Sequence, residues 1–386
     1  MEIKYHANPN YRDSNSTHKI MLRLTFGLLL VYAFGLYNAY SFGVTYFVNS
    51  IIIMAVALVT ALSTEAIWAL VFKKNVLEYI KNSFGWVTAI IIALTVASDT
   101  QPYVICIVTF ISIFFAKLVF GGFGQNVFNP AAIGRAVLAS SFAGNKIVDV
   151  LTSATPTSTF DSFGWLISSN DFSVYLEDFN GLRGILLGFY NGAIGETSSL
   201  LIVLIAIYFA FTRVIDWRIP LTYVGIIFAG STIIGLANGI GMTYPIVFTS
   251  TGGILFGAVF MLTDPVTNPT TTVGRVIYAG IAAICTVLIR IFGNLPDGVT
   301  FSIIIANMLA PMIDKFTMCK QTDREKFINI FIPLYIIFAI VIIWLCGFGL
   351  TVKPYDSVVN ANQVNHVIVS DKTLSNTSFV EIKEVR

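Results

Sequence analysis

The stretch Ser98-Asp99-Thr100-Gln101-Pro102 separates two apolar segments of the chain, and Thr263-Asp264-Pro265 separates two others in the same way. A second pair of similar stretches follows them. Lys117-Leu118-Val119-Phe120-Gly121 comes after the first, and Arg290-Ile291-Phe292-Gly293 comes after the second. The shared order of these landmarks predicts an internal repeat. Chance similarity among membrane sequences rich in Gly, Pro and Phe is the alternative.

The composition around these landmarks is that of a polytopic membrane protein. Of the 386 residues, 56% are hydrophobic and 11% are charged, and the mean hydropathy is +0.79. Globular domains carry about 25% charged residues. The polar N-terminus is not a cleavable signal peptide. The net charge of +2 says little about partners, and we expect no nucleic-acid partner.

The cysteines and histidines argue against a metal site. The four cysteines are scattered without a Cys-x-x-Cys pair, so a cluster or a disulfide framework is not expected. The three histidines (His6, His18 and His366) lie in the tails. We therefore predict no haem or zinc site in the membrane.

Apolar runs predict ten membrane spans and an additional one near the end of the chain. They lie near residues 20–40, 42–72, 84–98, 103–120, 131–142, 199–212, 221–240, 248–262, 276–291, 299–313 and 328–350. The predicted fold is all-α, with two five-helix repeats at 20–143 and 199–314. A tail at 1–19, a polar loop at 144–198 and a C-terminal region at 315–386 complete the chain.

The distribution of Lys and Arg predicts the orientation in the membrane. With the N-terminus in the cytoplasm, only Lys146, Arg183 and Arg290 fall outside before the last span, whereas Lys117 and Arg135 fall inside. The acidic segment 144–198 and the C-terminal tail are then outside. The protein is expected in the cytoplasmic membrane.

In this orientation the matched landmarks face opposite sides, which is the plan of an inverted-repeat transporter with sites at broken helices. The stretches at 121–130 and 293–298 are predicted to be non-helical. A competing alignment pairs Asn129-Pro130 with Asn268-Pro269, each followed by a Gly-Arg pair. It matches fewer landmarks, and we favour the inverted arrangement.

The outer segment contains Asp149-Val150-Leu151-Thr152-Ser153-Ala154-Thr155-Pro156. Its Asp-x-x-Thr-Ser-Ala-Thr spacing resembles the acceptor sequence that flavin transferases modify. In such sites FMN is attached through a phosphoester to the last threonine, here Thr155. Pro156 disfavours a helical conformation at Thr155. An ordinary loop rich in Ser and Thr is the alternative.

The order and spacing of several stretches resemble the RnfD/NqrB family, the membrane subunits of ion-pumping ferredoxin:NAD and NADH:quinone oxidoreductases. The resemblance covers roughly residues 17–314. The eleventh span and outer tail are not part of the usual pattern. The stretches that carry the resemblance are residues 120–131, the Thr155 acceptor, Gly195-Glu196-Thr197-Ser198, Thr263–Thr267, Pro296–Val299 and Ala310–Asp314.

The resemblance implies covalent FMN on Thr155 and a noncovalent riboflavin deeper in the fold. It also implies an outer FMN subunit, iron–sulfur subunits and a flavin transferase for maturation. Glycines let the backbone approach a flavin ring, and asparagines can bond its polar edge. The candidates for the second flavin are Gly121, Gly122, Gly124, Asn126, Asn129 and Pro130. Close helix packing is the alternative role for the glycines.

Acidic residues within or beside the spans are candidates for the ion path. They are Glu65, Glu196, Asp264, Asp297 and Asp314. Capping or pairing with a nearby base is the alternative, and it is strongest for Asp314 beside Lys315. Glu65 has no basic neighbour in the sequence. Glu196 is expected at the outer face, with Asp264 and Asp314 on the cytoplasmic side.

Two classes of function remain open at this stage. The first is a flavin-bearing subunit of a redox-driven Na⁺ or H⁺ pump, of the Rnf type or, alternatively, of the quinone-coupled type. The second is an inverted-repeat channel or transporter without a redox role. A scaffold that has lost its cofactors is a third possibility. Covalent flavin on Thr155 separates the first class from the others.

Overall fold

The computed structural model describes residues 16–142, 156–162, 165, 169–190, 192–196, 198–293 and 298–318. The acceptor residues Asp149, Thr152, Ser153, Ala154 and Thr155 lie outside the described residues. So do Asp297, the predicted eleventh span and the C-terminal tail.

The regular elements of the described residues are all helices. Among these residues, the only strand-like pairing is an isolated antiparallel bridge between Ala97 and Ala193. The helices are α1 (Thr17–Phe42), α2 (Val44–Val71), α3 (Val76–Ser83), α4 (Gly85–Leu94), α5 (Pro102–Ile113), α6 (Pro130–Ser141), α7 (Pro156–Ser162), α8 (Ser169–Asp178), α9 (Gly181–Leu187), α10 (Ser199–Phe211), α11 (Arg218–Ala237), α12 (Thr243–Ser250), α13 (Ile254–Phe256), α14 (Thr272–Phe292) and α15 (Val299–Thr317). Two π-helical segments continue α5 and α13, at Phe114–Leu118 and Gly257–Met261.

The apolar helices confirm the all-α polytopic membrane fold. In the part of the chain that the structure describes, five helices are long and apolar enough to cross a bilayer on their own: α1, α2, α11, α14 and α15. Two bent pairs, α3 with α4 and α12 with α13, each pass the same test together. The helices Pro102–Leu118 and Ser199–Phe211 are shorter but also apolar.

The described elements occur twice in the same order. Each series has two helices, a bent pair, a fourth helix, a loop and a fifth helix: α1 to α6, and α10 to α15. The packing partners also correspond, because α2 lies against α3, α4 and α5, and α11 lies against α12, α13 and α14. The helices that end the two series, α6 and α15, pack against each other.

The first helices of the two series run in opposite directions. Near the start of α1, the Arg23 guanidinium donates to the carbonyl of Thr212, just after α10 ends, at 3.2 Å. Towards the other end of α1, Gly35 lies against Ile194, which precedes α10. Antiparallel first helices are what an inverted repeat requires.

The competing alignment is not supported by the element order. The Asn129 side chain caps α6, the fifth helix of its series. The stretch that contains Asn268-Pro269 precedes α14, the fourth helix of the second series. The two Asn-Pro pairs therefore precede different elements, whereas Lys117 and Arg290 both lie near the end of a fourth helix.

The third span of each series differs from the prediction because it begins earlier and is broken. The first pair bends by 51° at Phe84, whose φ of 55° is left-handed. The second bends by 62° between Ser250 and Ile254, where Gly252 and Gly253 have φ of 69° and 72°. A residue in the left-handed conformation cannot continue a right-handed helix. The chain therefore changes direction at each of the two breaks. The segment 76–83, predicted as a basic loop, forms α3.

The loop between the fourth and fifth helices of the first series is non-helical, as predicted for 121–130. Gly121, Gly122 and Gly124 all have positive φ. A Cβ on Gly121 would strike the Gln125 side chain. Backbone geometry therefore explains these glycines. Of the counterpart at 293–298, only Gly293 and Gly298 are described.

The described part of segment 144–198 is packed rather than an open loop. Phe160 of α7, Tyr175 of α8 and Trp165, which lies between these helices, form an aromatic cluster with Tyr244 and Phe248 of α12. The Tyr244 hydroxyl donates to the carbonyl of Trp165 at 2.8 Å. The segment thus covers the first half of the second bent pair.

Candidate cofactor and ion-coupling site

A cavity opens where the start of α1, the side of α4, the loop before α6 and the stretch 263–266 meet. The volume open to the centre of a water molecule is about 60 Å³, and the whole space including the open mouth is about 670 Å³. The lining is mostly apolar with a few polar groups. It consists of Ile20, Met21, Leu24, Phe84, Val87, Thr88, Ile91, Lys117, Phe123, Asn126, Asn129, Pro130, Val214, Ile215, Phe260, Thr263, Asp264, Pro265 and Val266.

Three of the six residues predicted for the second flavin border this cavity. They are Asn126, Asn129 and Pro130, whereas Gly121, Gly122 and Gly124 are not in its lining. The Asn129 amide is already engaged, since its oxygen accepts from Ala131 N and its nitrogen donates to Met261 O at 2.9 Å. Asn126 donates one N–H to the Phe128 carbonyl at 3.1 Å.

Both π-helical segments contribute to the cavity. Lys117 belongs to the segment that ends the fourth helix, and Phe260 belongs to the segment that continues α13. Single π turns inside helices occur frequently at functional sites because they displace a side chain from its regular position. Here they direct one cationic and one aromatic side chain towards the same space.

The Lys117 ammonium group ties the cavity to a buried carboxylate behind it. Its Nζ lies 2.9 Å from Glu65 Oε1, and both side chains are buried at 3% and 0% exposure. Nζ also donates to the Ser83 carbonyl, and the Ser83 hydroxyl donates to the same Glu65 oxygen at 2.5 Å. Asp264 lines the same cavity as Lys117. The cavity thus borders a lysine that is paired with one buried carboxylate and contains a second carboxylate in its lining.

This pairing corrects the interpretation of Glu65 and Lys117. The sequence offers Glu65 no basic neighbour, yet the fold brings Lys117 to it over 52 residues. Lys117 is therefore a buried charge. Burying one member without the other would be costly, which explains why the two occur together.

The second break has its own buried cation, Arg290. The guanidinium donates to the carbonyls of Phe248, Thr251 and Gly252 at 2.8 to 2.9 Å. It also lies over the rings of Trp165 and Phe248, 4.9 and 5.2 Å from their centres. Arg290 is 0% exposed, so its charge is buried within the protein.

Glu196 lies against the same break. Its carboxylate occupies the place where a Cβ on Gly253 would sit, just as the Glu65 carboxylate occupies the place of a Cβ on Gly85. Glu196 is also 3.8 Å from Arg135 of α6. The sequence analysis predicted Arg135 on the cytoplasmic side of the membrane and Glu196 on the outer side. Two side chains 3.8 Å apart lie at the same depth in the membrane, so the prediction that they lie on opposite sides is wrong.

The two breaks therefore have the same electrostatic plan. A cation meets carbonyls where the first half-helix ends, and a carboxylate faces the glycine where the second half-helix begins. Helix C-termini attract cations and N-termini attract anions. The arrangement stabilises the helix ends at each break, because their backbone N–H and C=O groups would otherwise be buried without partners.

The remaining described candidate acid, Asp314, has structural contacts. Its carboxylate accepts from the backbone N–H and the hydroxyl of Thr270 at 3.0 to 3.2 Å. Asp314 thus closes the loop that follows Asp264. An ion pair with Lys315 is not needed to explain its position, since the loop supplies its donors.

A further ion network lies on the loop before α11. Asp216 accepts from the Arg275 guanidinium at 2.6 Å and from the Arg218 backbone N–H at 3.0 Å. Burial by itself would raise the pKa of Asp216, but these two arginines hold the pKa below its ordinary value. Sequence reasoning did not single out Asp216.

The residues that sequence reasoning missed as site members are Lys117 and Arg290. Both lie in the matched landmarks Lys117–Gly121 and Arg290–Gly293, so the repeat contained the signal. Among the described residues, no group of three or more His, Cys, Asp or Glu side chains could hold a metal ion.

Comparison with known proteins identifies the family. Residues 4–323 match the sequence profile of the NQR2, RnfD, RnfE family. The chain belongs to this family. The D-type subunit of the proton-translocating ferredoxin:NAD(+) oxidoreductase complex of Clostridium ljungdahlii is 34% identical over 81% of this chain and 93% of its own length. The D-type subunit of the Na(+)-translocating ferredoxin:NAD(+) oxidoreductase complex of Acetobacterium woodii is 28% identical over 82% of this chain and 94% of its own length.

Proposed function

We propose that this NQR2, RnfD, RnfE family member is the D-type membrane subunit of an ion-translocating ferredoxin:NAD oxidoreductase complex. The relatives named above carry that description over most of their length. The observation that carries the proposal is the cavity lined by Asp264 and by Lys117, which is paired with the buried Glu65. It joins a mostly apolar space to buried charges. Partner subunits with iron–sulfur centres and a second FMN complete the electron path.

The first proposed cofactor is FMN on Thr155. The residue that follows, Pro156, is buried, and its carbonyl accepts from the Tyr175 hydroxyl at 3.1 Å. Thr157 lies against Gly252 at the second break. Two residues span at most about 7 Å. The point of attachment of an FMN on Thr155 would therefore lie within about 7 Å of Thr157 and so near the second break.

The second proposed cofactor is riboflavin in the cavity. A flavin has a flat apolar ring and a polar edge, and the cavity has an apolar lining with Asn126, Lys117 and Asp264 at its polar positions. Flavin supplies one- or two-electron transfer when bound. Asn126 would orient the polar edge, and Phe260 and Val87 would exclude water from the ring.

The buried charges supply the link to ion uptake. Negative charge added in a low-dielectric site is costly unless a cation compensates it. Lys117 is fully engaged with Glu65 and Ser83. Compensation therefore requires either movement of the ammonium towards the cavity or entry of Na⁺ or H⁺ beside Asp264. We assign Glu65, Asp264 and Asp314 to the cytoplasmic part of the ion path, and Glu196 and Asp297 to the outer part.

The orientation proposed for the chain has the N-terminus in the cytoplasm and the Thr155 segment outside. The cavity is then near the cytoplasmic side, because the start of α1 lines it. Segment 156–196 covers the opposite side. The two series of helices are proposed as inverted repeats on the basis of their shared order and antiparallel first helices.

Thr155→Ala tests the covalent flavin. We expect loss of the ultraviolet-excited fluorescent band on a denaturing gel, with folding retained, because the residue precedes the packed part of the segment. Intact mass gives the second readout, and Thr157→Val is the matched control. Equal masses for the wild type and Thr155→Ala would contradict the assignment, as would attachment at Thr152.

The ion path is tested by Glu65→Gln, Asp264→Asn and Asp314→Asn in the reconstituted complex. We expect slower turnover and a cation concentration for half-maximal rate raised about tenfold or more, as for lost metal-site partners. The assay is a Na⁺ titration at fixed pH and a pH titration at fixed Na⁺. Glu78→Gln, on the exposed side of α3, is the control. Wild-type ion dependence in all three variants would place the path elsewhere.

A quinone-coupled complex is the second candidate, because the name of the family includes NQR2 beside RnfD and RnfE. Activity with reduced ferredoxin and NAD⁺ distinguishes it from activity with NADH and a quinone. A non-redox channel would show neither activity and no covalent flavin.

A further inference from the structure

Two connecting segments of the second series form part of the wall of the large cavity. Val214 and Ile215, in the 212–217 loop between α10 and α11, border the cavity, as do residues 263–266 of the 263–271 stretch before α14. Pro265 of that stretch is exposed and also borders the cavity. The stretch therefore reaches the open mouth. Surface connections are more mobile than helices, so the shape of the mouth depends on what holds these two segments.

Arg23 of α1 holds the beginning of the 212–217 loop. The helix α10 ends at Phe211, and the last carbonyls of a helix have no partner within it. The Arg23 guanidinium donates to the carbonyl of Thr212 at 3.2 Å. Arg23 lies between Met21 and Leu24, which both border the cavity. The α1 wall and the beginning of the loop are thus joined.

Arg275 of α14 holds the other end of the loop. Its Nη1 donates to Asp216 Oδ2 at 2.6 Å, and its Nε donates to the carbonyl of Pro269 at 2.9 Å. The Arg275 and Asp216 side chains are 30% and 14% exposed, so both are partly shielded from water. One planar guanidinium therefore joins the 212–217 loop to the 263–271 stretch through charge-assisted hydrogen bonds.

The 263–271 stretch is held on its other side by α15. Asp314 accepts from the backbone N–H of Thr270 at 3.0 Å, and the hydroxyls of Thr271 and Thr317 are 2.6 Å apart. With the stretch held on α15, the position of the 212–217 loop relative to it depends on the contact between Arg275 and Asp216.

We propose that Asp216 and Arg275 are positioning residues for the cavity. Their ion pair holds the 212–217 loop against the 263–271 stretch and so limits how fast water, ions and a noncovalent ligand reach the space beside Asp264. Neither side chain borders the cavity, so both act through the wall residues that their segments carry.

This inference rests on the proposed function for the identity of the ligand, which is the noncovalent riboflavin, and for the use of Asp264 in ion uptake. The restriction of access is a property of the fold and can be measured without either.

Arg218 provides a matched control for the electrostatic part of the argument. Its guanidinium lies 3.5 Å from the same Asp216 oxygen and its side chain is 41% exposed. The backbone N–H of Arg218 donates to Asp216 Oδ1 at 3.0 Å, and a side-chain substitution leaves that bond in place. Arg218→Gln therefore removes a charge beside Asp216 without removing the bridge to Pro269.

The test measures access to the cavity in the purified complex. The reporter is Val266→Cys, because Val266 borders the cavity and is half-buried. Its reaction with a water-soluble maleimide is followed at residue 266 by peptide mass spectrometry, so the native cysteines do not interfere. In a second assay without the reporter, the fluorescence of released riboflavin after dilution gives the rate of ligand loss.

The reporter is combined with Asp216→Asn, Arg275→Gln, both changes together, and Arg218→Gln. Asp216→Asn keeps an oxygen for the Arg218 N–H and is the mildest change. It decides the question if Arg275→Gln does not assemble into the complex, which size-exclusion chromatography shows.

We expect each single change at Asp216 or Arg275 to speed labelling and riboflavin loss about tenfold, as for a lost hydrogen bond between charged groups. The double variant should match the single ones, because both changes remove the same contact. Arg218→Gln should stay within about twofold of the wild type, since an exposed ion pair contributes little. Turnover lost by the single variants should return with excess riboflavin, which would not rescue a misfolded subunit.

Unchanged labelling in Asp216→Asn would overturn the inference. So would equal acceleration in Arg218→Gln, or effects of the two changes that simply add in the double variant. Failure of the proposed function looks different. In that case the wild-type complex releases no riboflavin and transports no ion, but labelling of residue 266 still depends on Asp216 and Arg275.

Discussion

At both helix breaks a buried cation binds backbone carbonyls at the end of the first half-helix, but the cation differs between the two breaks. At the first, Lys117 binds one carbonyl and the Glu65 carboxylate, and the pair is neutral. At the second, Arg290 binds three carbonyls and stacks on two aromatic rings. A lysine is a compact point charge that can move, whereas the planar guanidinium is held by several fixed acceptors. The first break is therefore suited to charge movement beside the cavity, and the second to anchoring the segment that carries Thr155.

The largest effect is expected for Lys117→Met. This change leaves the Glu65 carboxylate buried without its cation, which costs about 3–5 kcal/mol. Chemical unfolding of the purified subunit in detergent should show that loss. The double variant Lys117→Met with Glu65→Gln should recover most of the stability but not the ion-coupled activity. If the double variant is no more stable than the single one, the pair does not act as a unit.

A smaller loss is expected for Arg290→Lys at the second break. The charge is retained, but an ammonium cannot reach three carbonyls in the fork geometry of a guanidinium. One or two buried acceptors then lose a donor, which costs about 1–3 kcal/mol. The same unfolding assay measures the loss. Turnover should fall less than in Lys117→Met, and equal losses of turnover would remove the functional distinction between the breaks.

The smallest effect is expected for Gly253→Ala. An alanine at a left-handed φ costs about 1–2 kcal/mol, and its Cβ also meets the Glu196 carboxylate. Adding Glu196→Ala should relieve the steric part and leave the backbone part. Gly85→Ala is the matched variant at the first break, where Glu65 is held by Lys117 and cannot turn away. Full recovery of Gly253→Ala by Glu196→Ala would show that φ carries no cost there.

Much of the fold could be predicted from the sequence. Ten of the predicted spans correspond to described helices or bent pairs, and the non-helical loop at 121–130 is confirmed. The break at Gly252–Gly253 was missed because the predicted span 248–262 runs through it and hydropathy does not report φ. The break at Phe84 was missed because α3 contains Glu78, Lys81 and Asn82 and so lay outside the predicted span. The segment 144–198 was interpreted as a loop because it is polar, but its aromatic residues pack on α12.

The candidate site was predicted only in part. Asn126, Asn129 and Asp264 were singled out, and all three border the cavity. The glycines at 121, 122 and 124 were assigned to cofactor contact, yet their positive φ values serve the loop. The partner of Glu65 was not predictable, since Lys117 is distant in the chain and meets it only through the packing of α2 against α5.

By itself the sequence determined that this is an all-α membrane protein with a repeated order of landmarks, and it identified the family. These features depend on local stretches of sequence: their hydropathy, the positions of Gly and Pro, and the order of the motifs. They can therefore be recognised without a structure. Only the tertiary structure decided which acid meets which base, where the bent helices break, and which residues border the cavity beside Lys117. Those are contacts between distant segments, and they depend on how buried charges and chain ends are satisfied when water is excluded.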